Sequence, residues 1–265
     1  FGHAAFFGLG AYIIAYISGV NDLTLSFTNN ILLTLPMVVI GTGIIALIVG
    51  SLALRTDGIY FLMITLAFAQ MLFSVAMRWS AVTGGSDGLI GIPRPEINLG
   101  VWKYSFESRT AFYYFVVTTF VAIYFGLHNI TNSPFGLTLK GIKSNQMRMQ
   151  ALGYKTLHYK IGVFVLAGII AGIAGMLLAQ FYWHASPENL YWTMSGQALI
   201  MVILGGVGTL IGPVIGATLM RLLPNITSTY TNNWQSYMGI MLIVFVLCAP
   251  NGIMGILLKK LKNNQ

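Results

Sequence analysis

Apolar residues gather in seven long runs, at about 4–19, 31–54, 59–77, 111–129, 161–181, 195–222 and 237–257, with short polar segments between them. Each run is continuous rather than alternating, and most have the roughly 17–25 residues that a helix needs to cross a bilayer. In lipid, backbone N–H and C=O groups must be satisfied within the segment, so helices are the spanning form. The pattern predicts an all-α integral membrane protein, a polytopic helical bundle with a single transmembrane domain over 1–265. The chain opens at Phe1, without Met and already in an apolar stretch, and the expectation is that N-terminal residues are missing.

Composition sharpens this picture. Hydrophobic residues make up 56% and charged residues 8%, against about 25% charged in soluble domains. So few charges cannot cover a water-facing surface, and the chain must face lipid or other helices. Its 30 glycines suit helices that approach closely. The one cysteine, Cys248, lies in an apolar run and reads as a packing residue. The net charge of +8 sits in short loops, so it reports topology and contact with lipid rather than a nucleic-acid partner.

The loop 130–160 carries Lys140, Lys143, Arg148, Lys155 and Lys160 without an acidic residue, and the C-terminus carries Lys259, Lys260 and Lys262. The positive-inside rule places both in the cytoplasm, with Arg55 and Asp57 in a tight turn on that side. Segments 20–30, 78–110, 182–194 and 223–236 then fall outside. All five tryptophans (Trp79, Trp102, Trp183, Trp192, Trp234) lie on that outer side, as an interfacial belt would. So do Asp22, Asp87, Glu96, Glu107 and Glu188, which balance Arg78, Arg94, Lys103, Arg109 and Arg221.

Under this assignment the run 195–222 begins and ends outside, which a single crossing forbids. Its middle, Gly205-Gly206-Val207-Gly208-Thr209-Leu210-Ile211-Gly212-Pro213, is rich in residues that weaken a helix. Two short helices meeting at this break are predicted, crossing twice or dipping in as a re-entrant pair. The alternative is one kinked helix with loop 223–236 inside. Broken helices of this kind are found beside solute paths in transporters.

No GxxxxGK[ST], HExxH, CxxC or GxSxG occurs. The chain therefore shows no means of using ATP, holding a metal or catalysing a reaction, and any energy for transport must come from a partner or an ion gradient. In the loop 130–160, Ser133 suits an N-cap, Pro134 a first helical position and Gly153 a helix end. Apolar Leu139, Ile142, Met149 and Leu152 among polar neighbours predict one or two short amphipathic helices, which could dock on a partner or lie on anionic lipid. On the outer side, Thr83-Gly84-Gly85-Ser86-Asp87-Gly88-Leu89-Ile90-Gly91-Ile92-Pro93 is either a tight turn or a set of exposed N–H groups for a carboxylate, with Asp87 for an ammonium. Gly168, Gly172 and Gly175, and separately Gly212 and Gly216, read as helix-packing faces. His3 and His184 could carry protons, but ordinary interfacial hydrogen bonding suits His184 better, and His128 and His158 read as solvated. No acidic residue lies well inside a predicted span, which counts against a proton-driven carrier.

Seven segments, in this order, resemble the branched-chain amino acid ABC transporter permease family, in its longer-type permease subunit. They are Gly2-His3-Ala4-Ala5-Phe6-Phe7-Gly8-Leu9-Gly10-Ala11-Tyr12; Arg55-Thr56-Asp57-Gly58-Ile59-Tyr60-Phe61 with Thr65-Leu66-Ala67-Phe68; Thr83 to Pro93; Ser133-Pro134-Phe135-Gly136; Ala151-Leu152-Gly153-Tyr154; Ser186-Pro187-Glu188; and Gly205 to Pro213. The family usually has a further helix before the first segment. The resemblance implies a type II importer in the bacterial inner membrane. Such an importer has two permease subunits (a heterodimer with a related chain is favoured), two cytoplasmic ATPase subunits that bind ATP and Mg, and a periplasmic solute-binding protein. No cofactor is implied for this chain. The resemblance also implies that the cytoplasmic segment 131–160 holds a coupling helix for the ATPase, matched here by Asn145, Arg148, Ala151, Leu152, Gly153 and Tyr154. The family commonly has acidic residues in this helix, where this chain has Ser144, Gln146, Met147 and Gln150, so its docking surface is more basic than usual.

The expected function is a translocation path for branched-chain or related amino acids, with Thr83, Gly84, Gly85, Ser86, Asp87, Gly88, Gly205, Gly206, Gly208 and Thr209 as candidate path residues. Urea, short amides, sugars or nucleosides are alternative solutes in the same architecture. A secondary carrier, a channel and a membrane-embedded enzyme are the more distant rivals, the last lacking a convincing catalytic pair within the bilayer.

Overall fold

A computed structural model describes residues 1–19, 28–98, 103–230, 233, 236, 237, 239, 240, 243 and 252–255. Cys248, Asp22, Trp102, Trp234, Lys259, Lys260 and Lys262, and most of the predicted span 237–257, lie outside the described residues. The chain divides into two compact units, Phe1–Met194 and Ser195–Gln265.

The first unit is built on α1 (His3–Ile17), α2 (Ile31–Ala53), α3 (Ile59–Arg78), α5 (Arg109–Asn132) and α8 (Thr156–Tyr182), with a four-residue helix α4 (Ser80–Thr83) after α3. Local signals set several starts. Asn30 accepts from the Leu32 N–H to cap α2, and Ser108 accepts from the Ala111 N–H to cap α5. Among the described residues four helices, α2, α3, α5 and α8, are long and apolar enough to cross a membrane. The predicted span 4–19 forms only the 15-residue α1, shorter than a full crossing.

Small residues hold α1, α2 and α8 together. A Cβ on Gly10 would stand 2.0 Å from the Gly172 carbonyl oxygen, and one on Gly175 would stand 1.7 Å from that of Phe7. Along α2, Gly50 lies against Phe164, Ala46 against Gly168 and Thr42 against Gly172. Backbones this close leave no room for side chains, so van der Waals contact between helices replaces the hydrophobic drive that lipid cannot supply. The glycine stripe is thus a packing face, as predicted. Phe6, in this core, meets Phe164 edge-on with ring centroids 5.6 Å apart. By contrast, α5 buries only Phe112, and Ile40, Ile44, Ile48 and Leu52 of α2 are more than half exposed. Such apolar faces require lipid or a partner chain.

The ends of these helices carry structure too short to be seen in the sequence. β1 (Leu89–Ile90) pairs antiparallel with β4 (His184–Ala185), and β2 (Glu96–Asn98) pairs with β3 (Lys103–Ser105). Between α5 and α8 lie α6 (Pro134–Ser144) and α7 (Gln146–Ala151).

The predicted outer loop 182–194 needs correction. Its beginning does lie by the C-terminal ends of α3 and α8, since the Trp183 carbonyl accepts from the Gly91 and Ile92 N–H groups. A 3₁₀ turn, Pro187–Leu190, then runs down beside α1, with buried Leu190 against Gly8. Tyr191 packs on Phe73, and Trp192 on Phe1 at the far end of α1. Trp192 therefore leaves the tryptophan belt, whereas Trp79 and Trp183 stay at helix ends. Glycine at position 8 makes this descent possible, because any Cβ there would fall 2.4 Å from the Leu190 side chain.

In the second unit the run 195–222 is divided, as predicted. α9 (Trp192–Gly205) and α10 (Gly212–Tyr230) fold back on each other around the Gly-rich break. A Cβ on Gly205 would lie 1.7 Å from the Gly212 carbonyl oxygen, and one on Gly216 would lie 1.9 Å from that of Met201. This helical hairpin rules out a single kinked helix. It also extends further than the apolar run, since α10 continues through Pro224 to Tyr230.

Candidate coupling segment and translocation path

Segment 131–160 is two capped helices joined by a sharp corner. Ser133 accepts from the Gly136 N–H and Pro134 takes the first turn, so α6 starts where the sequence places it. At Asn145 the backbone becomes extended, and the Asn145 side chain accepts from the Arg148 N–H at 2.9 Å to start α7. Asn145 thus caps α7 as well as lying in the candidate coupling segment. Gly153, at φ +87°, ends α7, and the Tyr154 N–H reaches back to the Met149 carbonyl at 3.1 Å.

The corner turns some apolar groups inward and others outward. Ile142 is buried, and Met149 lies against Gly141. Met147 and Leu152 are 81% and 67% exposed, and Ala151 and Gly153 are exposed beside them. Arg148, Ala151, Leu152, Gly153 and Tyr154 thus lie together on the short α7 and its exit. Among the described residues, the segment's one ion pair links Lys160 to Asp57, at 3.1 Å. Asp57 lies in the α2–α3 turn, so that turn and the loop 131–160 share one end of the unit, as the charge pattern predicts.

The candidate path residues Thr83–Gly88 form a turn of glycines with left-handed backbone. Gly84, Gly85 and Gly88 have φ of +75°, +60° and +68°. At Gly88 the need is twofold, since a Cβ there would also stand 2.2 Å from the Ala185 carbonyl oxygen. Thr83 donates to the Ala76 carbonyl. Ser86 donates to an Asp87 carboxylate oxygen at 3.1 Å, and the Asp87 carbonyl pairs with His184 Nε2 at 2.8 Å. The tight-turn reading accounts for these glycines, and the hydrogen bond predicted for His184 is present.

In the second unit Gly206 and Gly208 have φ of +121° and +94°. Thr209 donates to the Gly206 carbonyl and accepts from the Gly212 N–H, both at 3.1 Å, which turns the chain into α10. Gly205 makes the close approach described above. The two sets of candidate path residues fall in different units, and each set is continuous within its own.

Three features had no signal in the sequence reading. The Arg94 guanidinium lies 5.5 Å from the ring centres of both Phe112 and Trp183, and donates to the Glu107 carbonyl. The Tyr16 hydroxyl bonds the Val82 carbonyl across α1 and α4. Asn30, besides capping α2, reaches the Asn98 carbonyl at 2.6 Å. All depend on contacts far apart in the chain. No group of three or more metal-ligating side chains occurs among the described residues.

Four crossing-length helices among the described residues, close glycine contacts and a broken helical hairpin define an all-α polytopic membrane protein. The family model for the permease component of the branched-chain amino acid transport system matches residues 1–248, and the chain belongs to that family. It is 23% identical to the high-affinity branched-chain amino acid transport system permease protein LivM of Salmonella typhimurium, over 98% of this chain and 64% of the relative. The chain thus spans less than two thirds of that relative's length. It is 28% identical to the corresponding LivH protein of Escherichia coli strain K12, over 52% of this chain and 46% of the relative. It is 24% identical to the L-arabinose ABC transporter permease protein AraH of Azospirillum brasilense, over 79% and 60%. No solved structure matches it.

Proposed function

We propose that the chain is a permease subunit of an ATP-binding-cassette importer in the bacterial inner membrane, and that it forms part of the translocation path for branched-chain or related amino acids. ATP and Mg are bound and used by two partner ATPase subunits, a second related permease completes the path, and a periplasmic protein delivers solute. The family match supports the transport role. The observation that carries the coupling role is the exposed, doubly capped α7 with its unpaired apolar groups Met147 and Leu152. A helix this short has no stability alone, so its caps present it as a fixed knob on the bundle. In this reading ATP binding closes the ATPase dimer, Asn145–Gly153 moves with it, and Thr83–Gly88 and Gly205–Thr209 change which side of the path is open.

Ala151→Trp and Gly153→Pro test this reading. Ala151 is exposed, so a tryptophan there meets the partner rather than this chain. Proline cannot adopt the φ of +87° at Gly153. Both variants should reach the membrane and lose solute-dependent uptake. Normal uptake by both removes the coupling role.

The similarity to an L-arabinose permease favours a second reading, a sugar path in the same architecture. Competition by leucine, isoleucine, valine and L-arabinose for uptake separates the two.

A further inference from the structure

We propose that the outer end of the α2–α8 seam holds a buried water molecule, bridging Thr34 and Gln180. The seam has a strict register. Gly50 meets Phe164, Ala46 meets Gly168 and Thr42 meets Gly172, so each step of four along α2 matches a step of four back along α8. Two further steps bring Val38 opposite Met176, both fully buried, and then Thr34 opposite Gln180. Thr34 is 0% exposed and Gln180 1%.

Thr42, lower on the same seam, satisfies its hydroxyl by donating to the Val38 carbonyl at 2.7 Å. Thr34 does not follow that pattern: its Oγ1 and the Gln180 Oε1 are both buried without a hydrogen-bond partner. One is a donor that can also accept, and the other accepts only. The register sets them opposite each other, and no direct bond joins them. A buried water needs two to four polar partners. Here it accepts from the Thr34 hydroxyl and donates to Gln180 Oε1. Lipid cannot satisfy any of these groups, and a water bridge satisfies them without forcing the helices closer.

The test uses the purified full chain in mild detergent, with its thermal midpoint read by fluorescence size-exclusion chromatography, in Thr34→Val, Gln180→Met and the double variant. Each single change strands one polar atom and should lower the midpoint by about 2–4 °C. The double change strands neither and should return the midpoint to within about 1 °C of the parent. Additive losses in the double variant overturn the proposal. A high-resolution cryo-EM map of the parent protein settles the water itself, even if a single variant fails to fold. A density peak within hydrogen-bond distance of both Thr34 Oγ1 and Gln180 Oε1 supports the bridge. Direct contact between the two side chains, or an empty gap, overturns it.

Discussion

Replacing Gly175 by alanine tests the packing account at the tightest contact of the first unit. The added Cβ would stand 1.7 Å from the Phe7 carbonyl oxygen, whereas ordinary contact starts at 3.4 Å. The Phe7 oxygen is backbone and the Cβ is fixed to the α8 backbone, so neither can swing aside, and α1 and α8 must part by about 1.5 Å. Radial gaps of about 0.5–1 Å already forfeit a quarter to a half of each dispersion contact. Overpacking of this kind costs roughly 1–3 kcal/mol, and a backbone clash belongs at the upper end of that range. Alanine's better helix propensity returns at most about 1 kcal/mol. A net loss of about 2 kcal/mol lowers the thermal midpoint by about 4–8 °C in a chain of this size. Gly126→Ala is the matched control, because nothing lies within 4 Å of a Cβ there. It should leave the midpoint unchanged or raise it slightly. The assay is fluorescence size-exclusion chromatography after graded heating in one detergent. Equal midpoints for Gly175→Ala and Gly126→Ala would refute the claim that close glycine contacts hold this bundle together.

Gly88→Ala should open the β1–β4 ladder, since it combines a left-handed backbone with a Cβ 2.2 Å from the Ala185 carbonyl oxygen; faster limited proteolysis within 83–92 is the readout. Asn145→Ala removes the cap on α7 and should weaken that helix by about 1 kcal/mol, reducing uptake while membrane abundance holds. Asp57→Asn should change the thermal midpoint little, because Asp57 is 78% exposed and such ion pairs contribute at most about 1 kcal/mol. A large fall there would show that the Lys160–Asp57 pair fastens the two segments.

What the sequence made legible follows from the range of each signal. Continuous apolar runs gave the helices, because bilayer thickness fixes their length. The Ser133-Pro134 start of α6 and the Gly153 end of α7 were readable because caps are local. The Gly205–Pro213 break was readable because glycine and proline act on their own backbone. The descent of Pro187–Leu190 beside Gly8 was not, because it depends on space between elements distant in the chain. Trp192 was misplaced for the same reason: its composition suits an interface, and only the path of the preceding turn carries it away. Thr34 and Gln180 carry no local signal, because only the seam register sets them opposite each other.

The central claim is that this chain works as one subunit of an ATP-driven importer. The most direct measurement is its purification from native membranes in mild detergent, with mass spectrometry of the proteins retained. Recovery of ATPase subunits and a second, related permease is the predicted result. Recovery of this chain alone, under conditions that keep other membrane complexes intact, would contradict it.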